Sequence, residues 1–229
     1  MRPLSLLRRG AAVVPVLFAD PRPEVRTEAA AWAAEWPLRA VIERLRDMLG
    51  DPRNLCRFTV KDSLLRLGLA AVEPLARRLG RLDGLALREA MAVAAGLADA
   101  RLLAPVLPLC GHPDADVRAL AASIVGAIGR EGATRRLEAL LDDPEPAPRA
   151  ASARALGHLG HWPAATRMAL LLRDPAWDVR SAAAVALRGL GAAGTLLLRR
   201  TLDDGDPFAR DMARRTLDLP TAVGPGAPA

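Results

Sequence analysis

Tyrosine is absent from this 229-residue chain, aromatic side chains of all kinds make up only 3% of it, and Lys61 is its single lysine. So few aromatics, against an abundance of Ala and Leu between Gly and Pro punctuation, disfavour a sheet and favour helices. Cysteine is nearly absent too. Cys56 and Cys110 fall in different repeats of the scheme below, on the order of 20 Å apart if neighbouring helices pack at about 10 Å. A disulfide needs Cα atoms within about 7 Å, so both read as reduced structural thiols, as expected of a cytoplasmic protein. No stretch approaches the roughly 20 apolar residues of a membrane span. Residues 2–19 begin with basic residues and turn apolar, as a secretory signal does, but Pro15 interrupts the run and no small-residue cleavage site follows. They read as the leading helix of the first repeat. The chain also lacks a Gly-rich phosphate loop, a nucleophile elbow and a CxxC motif. Of its three histidines, His158 and His161 stand three apart, yet no carboxylate or cysteine is near them in sequence and Gly160 ends the helix between them. They are expected to be a surface pair. Catalytic residues, cofactor and metal are all expected to be none.

What is present is arginine. The formal charge is +6, and all but one of the 32 basic residues are Arg, a bias that codon usage explains as well as an anionic partner does. Seven of them recur with a fixed beat: Arg26, Arg57, Arg88, Arg118, Arg149, Arg180 and Arg210, at intervals of 30 or 31 residues. Six residues earlier stands Asp in five units (Asp20, Asp51, Asp143, Asp174, Asp204), and Pro usually follows. After the Arg comes a run of small residues closed by Gly, the expected helix stop. Each unit is therefore a leading helix, an Asp-Pro turn, a trailing helix and a Gly break. The trailing helices are expected near 23–35, 54–67, 84–97, 114–128, 145–159, 176–190 and 207–218. Acids such as Glu24, Asp116 and Asp178 fall in the first helical turn, where the dipole favours them.

The segments HPDADVRALAASIVGAIG (112–129) and DPAWDVRSAAAVALRGLG (174–191) resemble the HEAT-like repeat named after the phycocyanobilin lyases, of pattern DPxxxVRxxAAxALGxLG. The resemblance implies a bacterial all-α protein: an α-α superhelix of about seven two-helix repeats, at 1–36, 37–68, 69–99, 100–129, 130–160, 161–191 and 192–218. One repeat domain would thus span 1–218. Residues 219–229 hold too much Gly and Pro to extend it and read as a disordered tail. The resemblance also implies that the periodic Asp and Arg residues form a structural ladder between successive repeats, and that the trailing helices line a concave face. It departs from the pattern at Leu82-Asp83-Gly84, which replaces Asp-Pro. Scaffolds, lyases, hydroxylases and DNA-repair enzymes all use such repeats, so the repeat alone gives no function.

Counting from each periodic Arg, positions −1, +3, +7 and +10 form the buried stripe, and +1, +5 and +9 share another face. That second face carries four acids (Glu35, Asp62, Glu89, Asp211) and three bases (Arg66, Arg154, Arg215). A phosphate-binding groove would be consistently basic. The balance therefore favours a protein partner over nucleic acid, with the surplus arginines on solvated leading helices. The expected reading is a non-enzymatic scaffold or adaptor that binds its partner on the concave face through Phe58, Asp62, Arg66, Glu89, Val93 and Leu97, with Arg154 and His158. Phe58 is the aromatic anchor. Two alternatives carry an activity. One is a nucleic-acid-binding, DNA-glycosylase-like protein using Asp62 with Phe58, Trp32 and Trp36 nearby. The other is a phycobilin-lyase-like protein. The hydroxylases of this repeat class hold iron through His-Glu pairs, and the chain has no His-Glu dipeptide. The segment FARDMARRTL (208–217) is similar to the ends of HEAT-repeat proteins that accompany membrane-bound glycosyltransferases, which would make the partner a membrane-associated enzyme. Oligomeric state is left open.

Overall fold

The structure, a computed structural model, describes residues 16–35, 39–129 and 133–218. The first leading helix up to residue 15, Trp36 and the tail at 219–229 lie outside the described residues. Every regular element among the described residues is helical. The chain divides into two compact units, Met1–Ile128 and Gly129–Ala229.

In the first unit the helices are α1 (Pro23–Ala33), α2 (Arg39–Asp47), α3 (Asn54–Leu67), α4 (Leu69–Leu79), α5 (Gly84–Leu97), α6 (Leu103–Val106) and α7 (Ala115–Ile128). The trailing helices α1, α3, α5 and α7 begin and end within two residues of the positions their Pro and Gly punctuation marks. The fourth leading segment departs from a simple helix. Pro105 and Pro108 divide it into α6 and flanking 3-10 turns, because proline removes a backbone donor and crowds the preceding turn. The core is aliphatic, built from Ile42, Leu45, Leu49, Val60, Leu64, Leu75, Leu87 and Met91, all at most 2% exposed.

The second unit holds α8 (Thr134–Leu140), α9 (Pro146–His158), α10 (Ala165–Leu170), α11 (Trp177–Gly189), α12 (Gly191–Thr201) and α13 (Pro207–Asp218). Its trailing helices α9 and α11 bury mostly alanine, including Ala151, Ala153, Ala183 and Ala184. Small side chains let neighbouring helices approach closely. Leu137, Leu156, Met168, Leu187 and Leu198 fill the space between layers.

The ends of the trailing helices show where glycine is required. Gly129, Gly160 and Gly191 adopt positive φ, and Ala98 does the same at the end of α5 with φ 44°. An L residue with a Cβ is strained in this left-handed region. Ala98→Gly is therefore expected to stabilise the protein by about 0.5–1 kcal/mol. A thermal melt checks this, and a lower midpoint in the variant would contradict it.

Candidate partner-binding face

The arginine beat places its side chains in a repeated geometry. Arg26 donates through Nη1 to the backbone carbonyls of Asp20 (2.9 Å) and Pro21 (3.1 Å) in its own turn. Its Nε and Nη2 reach Asp51 of the next repeat at 2.7 and 3.3 Å. Arg149 does the same, with Nη1 on the carbonyls of Asp143 and Pro144 and Nε and Nη2 on Asp174 at 2.8 and 3.0 Å. Each Asp has a further task. Its Oδ1 accepts from the backbone N–H two residues on, as Asp51 does from Arg53 and Asp174 from Ala176, both at 2.9 Å. The carboxylate thus fixes the turn that launches a trailing helix while it neutralises the preceding arginine. In the fourth repeat His112 stands in the Asp position, and its Nδ1 accepts the Asp114 N–H at 3.1 Å. Arg118 again donates through Nη1 to the carbonyls of its own turn, those of His112 and Pro113. Arg210 likewise holds the carbonyls of Asp204 and Gly205.

Three rungs depart from the expected pairing. Arg57 meets Glu89 at 3.4 Å, because the third turn has Leu82 where five of the repeats have Asp. Arg88 is half exposed, 3.8 Å from Asp114 and 3.6 Å from Asp116. Asp204 is held by Arg173 at 2.6 Å, while Arg180 keeps its own turn's carbonyls and lies over the Phe208 ring, 4.9 Å from its centroid. Its buried Nε has no hydrogen-bond partner.

The rungs also set the response to acid. Burial pushes the Asp51 carboxyl up, but hydrogen bonds from Arg26 and from the Arg53 N–H outweigh it, and the net direction is down. A carboxyl whose folded pKa lies below its unfolded value near 3.9 contributes stability above that value and loses it as pH falls toward the folded pKa. The melting temperature is thus expected to fall as pH drops below about 4. Asp51→Asn should start lower at pH 7 and fall less steeply below pH 4. Parallel acid slopes in the two proteins would contradict this assignment.

With their arginines directed into the ladder, the trailing helices of the first unit present another face. On α3, Leu55, Phe58, Asp62 and Leu65 follow at spacings of three, four and three, which aligns them along one side of the helix. Leu55 is 69% exposed, Phe58 66% and Leu65 41%. The opposite side of α3 buries Cys56, Val60 and Leu64. The corresponding positions on α7 are Asp116, Ala119, Ser123 and Gly126, so the α3 ridge is not a feature of the repeat.

Clefts flank the ridge on both sides. The cleft between α3 and α5 has a volume of about 230 Å³ and is lined by Phe58, Lys61, Asp62, Leu65, Ala92 and Val93. The cleft between α1 and α3 is larger, about 500 Å³, with Thr27, Ala31, Leu55 and Thr59 among its walls and Glu24 and Glu28 beside them. Lys61, one of the lining residues of the smaller cleft, pairs with Glu89 at 2.7 Å.

Of the residues expected on the partner face, Phe58, Asp62 and Val93 come together around the smaller cleft. Val93 is not the exposed residue its spacing suggests. At 1% exposure it is buried and forms the floor, because the neighbouring positions on α5 are Ala92 and Gly96, too small to hold the adjacent helix away. Asp62 stands in solvent, 4.0 Å from Arg66 one turn on. Glu89 is engaged by Arg57 and Lys61, and Leu97 is half-buried at the end of α5. In the second unit, Arg154 and His158 are both exposed, one turn apart on α9. His161 does have a carboxylate beside it, Glu138 at 2.6 Å, which their separation of 23 positions hides from a sequence reading. No group of three or more metal-ligating side chains occurs among the described residues. None of their helices is long and apolar enough to cross a membrane. Sequence reasoning missed Leu55, Leu65 and the larger cleft. The three-four-three spacing was the available signal, but the repeat-based count from Arg57 passes over it.

Comparison with known proteins agrees with this architecture. The family model described as HEAT repeats matches residues 82–157 and 135–218. No curated protein matches the chain. Among solved structures, a designed armadillo repeat protein in complex with the peptide (KR)4 is 18% identical, with a TM-score of 0.55 over 77% of this chain and 98% of that one. An engineered protein is 20% identical, with a TM-score of 0.52 over 94% and 70%. The CpcE–CpcF complex of the phycocyanin lyase from Nostoc sp. is 20% identical, with a TM-score of 0.49 over 90% and 75%.

Proposed function

The chain belongs to the HEAT-repeat family, and from that premise we propose that it is a non-enzymatic scaffold or adaptor that binds a protein partner along its trailing helices in the first unit. The observation that carries this reading is the exposed apolar ridge of α3. Leu55, Phe58 and Leu65 stand in solvent on a helix whose opposite side is already packed, so the ridge plays no part in the core. Large apolar side chains beside clefts, rimmed by charge, are the usual anchors of a protein interface. The near balance of acids and bases along the trailing helices supports a protein ligand over a nucleic acid, which would draw on a consistently basic surface. On this reading the chain itself is cytoplasmic, and the similarity at residues 208–217 suggests a membrane-associated enzyme as the partner.

Affinity purification from the native cell at moderate salt tests the reading. A double variant, Leu55→Ala with Phe58→Ala, removes two exposed side chains and should leave the melting temperature nearly unchanged. It is expected to lose a protein that co-purifies with the parent chain. Leu170→Ala, which removes an equally exposed leucine from α10 of the second unit, should retain that protein. An unchanged set of co-purifying proteins in the double variant would overturn the proposal.

A further inference from the structure

The larger cleft defines the chemistry of the segment that should occupy it. Its walls between α1 and α3 are mostly apolar and small, formed by Pro23, Ala31, Leu55 and the methyl-bearing threonines 27 and 59, and about 500 Å³ accommodates a large aliphatic side chain with part of its backbone. Glu24 and Glu28 stand on one side, exposed and one helical turn apart on α1. Like charges at this spacing repel. The helix dipole accounts for Glu24, which lies in the first turn of α1, but it decays before Glu28. Neither glutamate forms an ion pair with a described residue; Arg22 lies near enough to Glu24 to feel its charge but is held by Asp20 at 3.0 Å. The one cation among the lining residues is Arg53, on the α3 side.

We infer that the cleft between α1 and α3 binds a partner segment in which a large aliphatic residue is flanked by lysine or arginine, the aliphatic side chain entering against Leu55 and Ala31 and the cation pairing with Glu24 and Glu28. This rests on the proposed function and specifies the ligand of that same face. The charge of the whole chain makes the inference discriminating. At a formal +6 the protein repels a basic peptide in general and attracts an acidic one to its many arginines. Specific capture of a basic peptide therefore requires a local acidic site.

Fluorescence anisotropy with three labelled peptides at 0.15 M salt tests it: GKLRLKG, its acidic counterpart GELELEG, and the polar control GKSRSKG. The basic aliphatic peptide is expected to bind saturably and at least tenfold more tightly than either control. Glu24→Gln with Glu28→Gln should weaken it at least tenfold without changing the melting temperature, and Leu55→Ala should weaken it as well. Equal or tighter binding of the acidic peptide, no effect of the glutamine variants, or no binding of the basic peptide at millimolar concentration would each overturn the inference. These outcomes are distinguishable from failure of the proposed function. A co-purifying protein lost on Leu55→Ala with Phe58→Ala but retained on Glu24→Gln with Glu28→Gln keeps the ridge as the partner site and refutes only the ligand chemistry.

Discussion

Asp174→Ala is expected to destabilise the second unit by about 3–5 kcal/mol. Asp174 holds Arg149 through two hydrogen bonds of 2.8 and 3.0 Å, and the side chains of the pair are only 12% and 6% exposed. It also accepts the Ala176 N–H that opens α11. Alanine removes all three interactions at once and leaves a buried guanidinium facing no carboxylate. Removing one partner of such a pair costs far more than the pair contributes in net terms, because the remaining charge has lost both water and counter-ion. The melting temperature should fall by roughly 10 °C or more. Asp204→Ala provides the internal comparison. Its partner, Arg173, is 55% exposed, so water replaces the lost carboxylate and the fall should be clearly smaller. Equal losses in the two variants would show that burial does not set the strength of the ladder.

Gly157→Ala should produce the second large loss. A Cβ at this position in α9 would lie 2.5 Å from Ala186 Cβ and 2.6 Å from Ala186 Cα in α11. Backbone and Cβ atoms cannot rotate away, so the two helices must separate. The expected cost is about 2–3 kcal/mol, despite the gain of nearly 1 kcal/mol in helix propensity that alanine brings over glycine. Gly96→Ala is the matched control. Its Cβ would meet Leu65 Cδ2 at 2.6 Å, but this is the mobile end of a side chain on the exposed ridge. Leu65 can turn aside, and the melting temperature should hold or rise. Because Leu65 moves, the same variant should weaken partner binding while leaving the fold intact. A destabilised Gly96→Ala protein would mean that Leu65 is held in place by the stack.

Most of the local structure was legible because it depends on short-range physics. Pro, Asp and Gly at fixed offsets from each arginine mark the start and stop of helices, and α3 and α5 span 54–67 and 84–97 as those residues imply. The ladder could be read in outline because the periodic Asp and Arg residues resemble a repeat whose members pair them between successive units. Its exceptions could not. Whether Arg173 or Arg180 takes Asp204 depends on the reach of two side chains from different elements, and a periodic pattern treats every rung alike. Val93 shows the same limit from the packing side. Its position predicts exposure, but the small residues beside it on α5 allow the neighbouring helix to close over it. The cleft beside Glu24 and Glu28 was hidden because it is a property of the gap between α1 and α3, and neither helix alone contains it.

The central claim is that the α3 ridge, and not the repeat surface in general, contacts the partner. A photo-crosslinking amino acid in place of Phe58, in the otherwise unchanged chain within its native cell, tests this directly, with the same group in place of Leu170 as the comparison. The account predicts one discrete cross-linked protein from position 58 and none of that mass from position 170. Cross-linking to the same protein from both positions, or from position 170 alone, would contradict it.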